Sequence, residues 1–240
     1  MDLRLLHYDS LGSTNSEAAK LAREGANEGV CVVADEQTAG RGRQGREWVS
    51  KKGAGVYMSL LLRPQVDARE VTLIPLIAAI AVHQVLLYVL TIEADIKWPN
   101  DILVNEKKIS GILCEAVDTS SGLAVIVGIG INLAGGSADN ATSIEQESET
   151  PTTRDYLVAT IVTQIGRRLG LLGHDSSAIL DEWSRRSSYA VGREVEVDLG
   201  NESFTGTTCG LERNGALRVR LSDGSVRIVQ AGDVTRLRKL

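Results

Sequence analysis

The chain has 240 residues, 31 Asp and Glu against 26 Lys and Arg, a net charge of −5, 43% hydrophobic residues and three cysteines. That length carries one large domain, or a large and a small one, around an ample core. The negative balance argues against nucleic acid or an anionic membrane as a partner drawn by the average field, so anion binding must be local. Cys31, Cys114 and Cys209 lie far apart without a CxxC pair, which argues against a disulfide framework or a zinc site. His7, His83 and His174 are equally scattered, and no metal triad is expected. The amino terminus has no apolar signal-type segment, no uncharged span approaching eighteen residues is expected along the chain, and a cytoplasmic protein without a membrane span is expected.

Residues 3–8 read as a first strand. A helix follows, with Thr14 and Glu17 at capping-box spacing, Ala18, Leu21 and Ala22 at helical spacing, and Gly25 at its end. Ser13 and Thr14 thus stand at a helix amino terminus, where hydroxyls either cap the helix or reach a polar ligand. Residues 30–35 form a short apolar run typical of a buried strand. They deliver the chain into a connection spanning residues 36–55, far longer than the roughly four to six residues usual between elements, and read here as a lid.

That connection holds Gly40-Arg41-Gly42-Arg43-Gln44-Gly45-Arg46-Glu47-Trp48. Its glycines and arginines cannot pack as a core element. As a loop they offer backbone N–H groups and planar cationic forks to carboxylate or phosphate oxygens. The alternative is a solvated basic turn.

Residues 56–62 resume a strand, and residues 72–90 read as a core helix with Pro75 in the first turn. Asp95-Ile96-Lys97-Trp98-Pro99-Asn100-Asp101-Ile102 starts as a strand, breaks at Pro99 and restarts at Ile102. Lys97 beside this rigid turn suits a fixed charge in a pocket, or a surface ion pair. Residues 108–116 form the next strand. In the apolar run at residues 125–133, Gly128 and Gly130 fall on one face under the period-two rule and leave a strip of backbone bare for a packed helix or a flat ligand. No helix follows; Gly135-Gly136-Ser137 opens a polar loop, so a dinucleotide fingerprint is rejected. Residues 145–151 read as acidic and exposed.

Two helices follow at residues 153–171 and 176–186. From residue 192 the pattern changes to short strands at 194–197, 203–208, 217–221 and 226–229, with hairpin turns at Asn214-Gly215 and Asp223-Gly224. About fifty such residues suggest a small barrel. The domain reading is therefore 1–188 and 189–240.

No Ser/His/Asp set, activated cysteine or paired-carboxylate signature is present. Anion loop, fixed lysine and bare strand together suit activation of a carboxylate by ATP, where two anions meet and cations must offset their repulsion. A mixed anhydride hydrolyses in water, which is the use of a lid.

Ser13-Thr14-Asn15, the stretch from Gln37 through Trp48, Lys97-Trp98-Pro99-Asn100-Asp101, Gly111-Ile112-Leu113 and Gly128-Ile129-Gly130-Ile131-Asn132 resemble, in order, the motifs of the biotin protein ligases. The resemblance spans nearly the whole chain. It implies an α+β fold: a mixed sheet with flanking helices related to class II aminoacyl-tRNA synthetases, plus a carboxy-terminal SH3-like barrel. It implies a reaction in which biotin and ATP, with Mg²⁺, give biotinyl-5′-AMP, whose acyl group passes to a lysine of a biotin carboxyl carrier protein domain.

By matching motif, Ser13, Thr14, Asn15, Gln37, Gly40, Arg41, Gly42, Arg43, Lys97, Gly111 and Gly128 would line the biotin site. Arg43, Arg46, Trp48, Asn100, Gly130 and Asn132 would serve the nucleotide. Lys97 and Arg43 would be catalytic, Lys97 against the carboxylate and α-phosphate, and Arg43 guarding the adenylate. The Ser-Thr-Asn motif arrives at Ser13, too early for a preceding winged helix-turn-helix, so no DNA-binding role is expected. Both a monomer and a homodimer stay open.

Two other readings compete. A lipoate ligase or octanoyl transferase would use a related fold. A non-enzymatic RNA- or peptide-binding protein would use the barrel and basic loop, against which stand the acidic balance and Phe204 as the single phenylalanine.

Overall fold

Residues 30–34 and 55–62 are apolar at almost every position, and such strands must be covered on both faces. In the computed structural model, which describes residues 2–135 and 140–236, they lie in a seven-stranded mixed sheet ordered β1-β2-β3-β7-β6-β5-β4. Its strands are β1 (Arg4–Tyr8), β2 (Val30–Ala34), β3 (Gly55–Leu62), β4 (Asp95–Lys97), β5 (Asp101–Val104), β6 (Lys107–Thr119) and β7 (Gly122–Asn132). Only the β1–β2 pair is parallel.

One face is covered by α1 (Thr14–Arg23), whose Ala18 and Ala22 pack on Val30, Val32, Leu61 and Ile126. The short α2 (Ala68–Val71) leads into α3 (Ile74–Leu90), which covers the other face with α5 (Arg154–Leu169) and α6 (Ser176–Arg185). Leu73, Ile74, Ile77, Ile80 and Leu90 are wholly buried there, and each such side chain contributes about 2 kcal/mol of burial.

The stretch from residue 71 to 92 has no Asp, Glu, Lys or Arg, and by length and composition its helix could cross a bilayer. The expectation of no such stretch therefore overlooked it. Burial between the sheet and two helices, the usual state of a soluble core helix, accounts for its apolarity. The short α4 (Ile144–Glu147) runs into the stretch expected to be acidic and exposed; Ile144, just before that stretch, is buried, while Glu145, Gln146 and Glu149 are exposed as expected. The Gly136-Ser137 part of the expected polar loop lies outside the described residues.

The carboxy-terminal strands β8 (Val191–Asp198), β9 (Ser203–Leu211), β10 (Leu217–Arg220), β11 (Val226–Val229) and β12 (Asp233–Arg236) form a second sheet, ordered β11-β10-β9-β8-β12. The expected turns are present, with Gly215 and Gly224 at φ 80° and 85°, values at which glycine avoids the steric cost of other residues. The sequence reading lacked β12, a four-residue strand.

The inward side chains Val195, Val197, Leu217, Val219 and Val234 belong to the same apolar cluster as α3 and the first sheet. Trp98, buried at the junction, donates from Nε1 to Gly215 O at 3.0 Å, and Thr72 Oγ1 donates to Asn214 O at 2.8 Å. The second sheet is thereby fixed against the turn that carries Lys97.

Candidate functional site

Strand register builds the floor of the site. Lys97 on β4 opposes Asp101 on β5, Asp101 opposes Gly111 on β6, and Gly111 opposes Gly130 on β7. Directly opposed residues in an antiparallel ladder share a face. One row across the sheet therefore sets a lysine and a carboxylate beside two glycines. Two residues along β7, Gly128 opposes Leu113 on one side and Ser59 on the other.

Over this floor lies a cavity of about 240 Å³. Its walls come from the start of α1 (Ser13, Thr14, Asn15), from Gln37 and the Gly/Arg loop (Arg41, Gly42, Arg43, Arg46, Trp48), and from the turn holding Lys97 and Asn100. Lys108 and, from the second sheet, Asp233, Val234 and Thr235 complete it. Of the residues expected at the site, Gly40 and Asn132 do not line the cavity. Gly40 sits at the loop's base, where an added Cβ would come within 2.3 Å of Trp48 O. Asn132 donates from Nδ2 to Lys108 O at 3.3 Å and Thr142 O at 2.9 Å, so it braces the backbone behind Lys108.

The bare glycine strip is filled by the chain's own side chains. A Cβ on Gly128 would fall 2.1 Å from Asn15 Oδ1, and one on Gly130 would fall 2.5 Å from Trp48 Cε2. A Cβ on Gly111 would fall 3.0 Å from Cζ3 of the same indole. The approaching partners are thus an amide from α1 and the indole of the loop.

Asn15, only 4% exposed, is held from three sides. Its Oδ1 accepts from Ser59 Oγ at 2.6 Å, and its Nδ2 donates to Glu115 Oε2 at 2.6 Å and to Leu113 O at 3.2 Å.

The expected capping box is replaced by a longer-range cap. Gln37 Oε1 accepts from Thr14 N at 2.8 Å and Thr14 Oγ1 at 3.1 Å, while Gln37 Nε2 donates to Ser50 Oγ at 2.8 Å. Ser13 is the N-cap residue and makes no side-chain cap bond. Glu17 instead lies 3.7 Å from Lys20 and accepts from Tyr8 OH.

The cations differ in what they are already doing. Arg41 Nη2 is 2.8 Å from Glu115 Oε2, and Arg46 Nη2 is 2.7 and 2.9 Å from the two oxygens of Asp233. Arg43 spends Nη1 on Asn100 Oδ1 at 3.2 Å and Gly232 O at 3.3 Å, with Asp233 at 3.7 Å. Burial lowers its pKa from the ordinary arginine value, while Asp233 and Asp101 oppose that shift.

Lys108 Nζ pairs with Asp101 at 2.6 Å and stands 5.2 Å from the Trp48 ring centroid. Among the described residues the ammonium of Lys97 makes no hydrogen bond or ion pair. An unpaired ammonium on the cavity wall is free to meet an anion.

Lys108, Glu115 and the Asp233 segment had been given no role. In the sequence Lys108 is half of a Lys-Lys pair after a turn, indistinguishable from a solvated end. Only the register of β5 with β6, which shifts between Ile102 and Leu103, brings it beside Asp101.

The comparisons fit this geometry. Residues 9–132 match the Biotin/lipoate A/B protein ligase family, and residues 190–236 match the Biotin protein ligase C terminal domain. The chain belongs to the biotin/lipoate A/B protein ligase family.

Among family members, it is 37% identical over 242 residues to the bifunctional ligase/repressor BirA of Bacillus subtilis, covering 96% of this chain and 74% of that protein. It is 29% identical to the biotin–[acetyl-CoA-carboxylase] ligase of Mycobacterium tuberculosis, covering 95% and 86%. The solved biotin protein ligase from Aquifex aeolicus in complex with biotin and ATP superposes with a TM-score of 0.83 at 28% identity, covering 98% of this chain and 99% of that one.

Proposed function

We propose that the cavity joins biotin to ATP and passes the biotinyl group to a lysine of a biotin carboxyl carrier domain. The observation that carries this reading is the convergence of Arg43, Lys97 and Lys108, from three separate stretches, on the row of bare backbone at Gly111 and Gly130. The names of the ligases it resembles, and the biotin and ATP bound in the Aquifex enzyme, support the choice of substrates.

In the first step a biotin carboxylate oxygen attacks the α-phosphorus and pyrophosphate leaves. Two anions are pressed together, and fixed cations lower that barrier because they are oriented before the charge develops. Lys97 faces the carboxylate and α-phosphate. Lys108 shares this task once phosphate oxygens compete with Asp101 for its ammonium. Arg43 takes the adenylate phosphate. Ser13, Thr14 and Gln37 bind the ureido end, with Asn15 as their support, since its amide is already spent on Ser59, Glu115 and Leu113.

Trp48, now against Gly111 and Gly130, supplies a flat face to the adenine. Arg41, Gly42 and Arg46 hold the loop, and Asn100 sets Arg43. Mg²⁺ arriving on the nucleotide would be held by phosphate oxygens and by Asp101, the carboxylate of the floor row that lines the cavity. It would offset phosphate charge.

In the second step the carrier's ε-amine attacks the acyl carbon, AMP leaves, and the amine sheds a proton. The catalytic unit is residues 1–188, of the class II synthetase-like type, and residues 189–240 form an SH3-like barrel. The test is biotin-dependent exchange of pyrophosphate into ATP by the purified chain, with lipoate as the competing acid. Exchange with lipoate and none with biotin would overturn the assignment.

A further inference from the structure

The Gly/Arg loop is held at its far end by the other sheet. Asp233, the first residue of β12, sets both carboxylate oxygens against Arg46 Nη2, at 2.7 and 2.9 Å. The same carboxylate lies 3.7 Å from Arg43 Nη1, and the carbonyl of Gly232 accepts from that atom at 3.3 Å. At its near end the loop is held by Arg41 on Glu115 of β6. Two of its three arginines are therefore struts, tied to carboxylates on different sheets. The middle one, Arg43, is aimed into the cavity.

Nothing else in the described second sheet makes an ion pair with the loop, and Asp233 also lines the cavity. Gly232, beside it, stands at φ 154°, where a Cβ would come within 2.9 Å of Asp198 O. The backbone that presents the carboxylate is thus closely confined.

We propose that Asp233 is a positioning residue for the loop arginines. It acts through Arg46 and Arg43 to keep the loop over the cavity, and so sets how long the adenylate stays enclosed. The proposal rests on the ligase reading for its consequence, but not for its geometry. Arg46 is 59% and Arg43 20% exposed at the side chain, so the network is partly screened. Its loss should cost a modest factor, on the order of three- to tenfold in loop opening.

The test uses Asp233→Asn, which keeps shape and removes charge, and Asp233→Glu, which keeps charge. Limited trypsin digestion of the ligand-free chain reads the loop directly, since Arg41, Arg43 and Arg46 are the cleavage points. Asp233→Asn should be cut there about three- to tenfold faster at low salt, with an unchanged melting temperature, and added salt should bring the parent toward the variant. Asp233→Glu should restore most of the protection.

With biotin and ATP, Asp233→Asn should release biotinyl-5′-AMP faster by a similar factor, read apart from its rate of formation. Unchanged cleavage and unchanged release would overturn the proposal. So would tighter ATP binding with normal retention of the adenylate, because Asp233 would then be a competitor of the phosphates. If no adenylate forms in the parent, the ligase reading fails while the digestion still decides the role of Asp233.

Discussion

Gly128→Ala adds one carbon where no room exists. The new Cβ would start 2.1 Å from Asn15 Oδ1, and an ordinary contact needs about 3.4 Å or more, so the amide must retreat by more than about 1 Å. Its bonds to Ser59 Oγ and Glu115 Oε2 are both 2.6 Å long and do not survive that movement. One neutral and one charge-assisted buried bond are worth about 1 and 2 kcal/mol, so a destabilisation of about 3 kcal/mol is expected. For a chain of this size that lowers the melting temperature by roughly 6 to 12 °C.

Gly130→Ala makes a useful contrast. Its obstacle is the indole of Trp48, carried on a loop that can move, so its melting temperature should fall by only about 2 °C while pyrophosphate exchange drops severely. Scanning calorimetry beside the exchange assay separates the two. A Gly128→Ala protein that melts within about 1 °C of the parent would refute the reading of Asn15 as a locked support.

Arg43→Gly should let the adenylate escape and biotinylate nearby amines, scored by blotting a bystander protein; labelling confined to the carrier would count against its guarding role. Lys97→Ala and Lys108→Ala should each lower adenylation at least about a hundredfold with little change in melting temperature, and a variant that merely unfolds would return its lysine to a structural role.

His83, whose Nε2–H donates to Ala94 O at 3.0 Å and whose Nδ1 lies 3.4 Å from Arg186 Nη1, has its pKa lowered from 6.5 by burial and then by that guanidinium. The unfolded chain therefore binds the proton first, and stability is lost as pH falls through about 6.5. His83→Gln should flatten the melting profile below about pH 6.5, and an unaltered slope there would reject it. Burial raises the Cys31 thiol to about 12, and burial with Glu115 raises Cys114 to about 12; neither should react with iodoacetamide at pH 8 until denaturant is added, as mass spectrometry would read.

What could be read from the residues is what local chemistry dictates. The Gly/Arg run had to be a loop, the Trp98-Pro99 pair had to break a strand, and Gly128 with Gly130 had to leave one face bare. What occupies that face was not legible, because Asn15 and Trp48 reach it only through the packing of α1 and the path of the loop. Asn132 looked like a nucleotide contact from its motif, yet its amide is turned to the backbone of Lys108 and Thr142. Lys108 itself was invisible without the shifted register of β5 on β6. Thr14 and Glu17 had the right spacing for a local cap, but Gln37, 23 residues downstream, takes the helix end instead.

The cavity takes part of its wall from Asp233, Val234 and Thr235, while its opposite wall begins at Ser13. A ribosome must therefore translate past residue 235 before the pocket can close. A nascent or truncated chain ending earlier would hold the front half of the site open to solvent, and reactive acyl phosphate made there would be lost to hydrolysis before any carrier arrived.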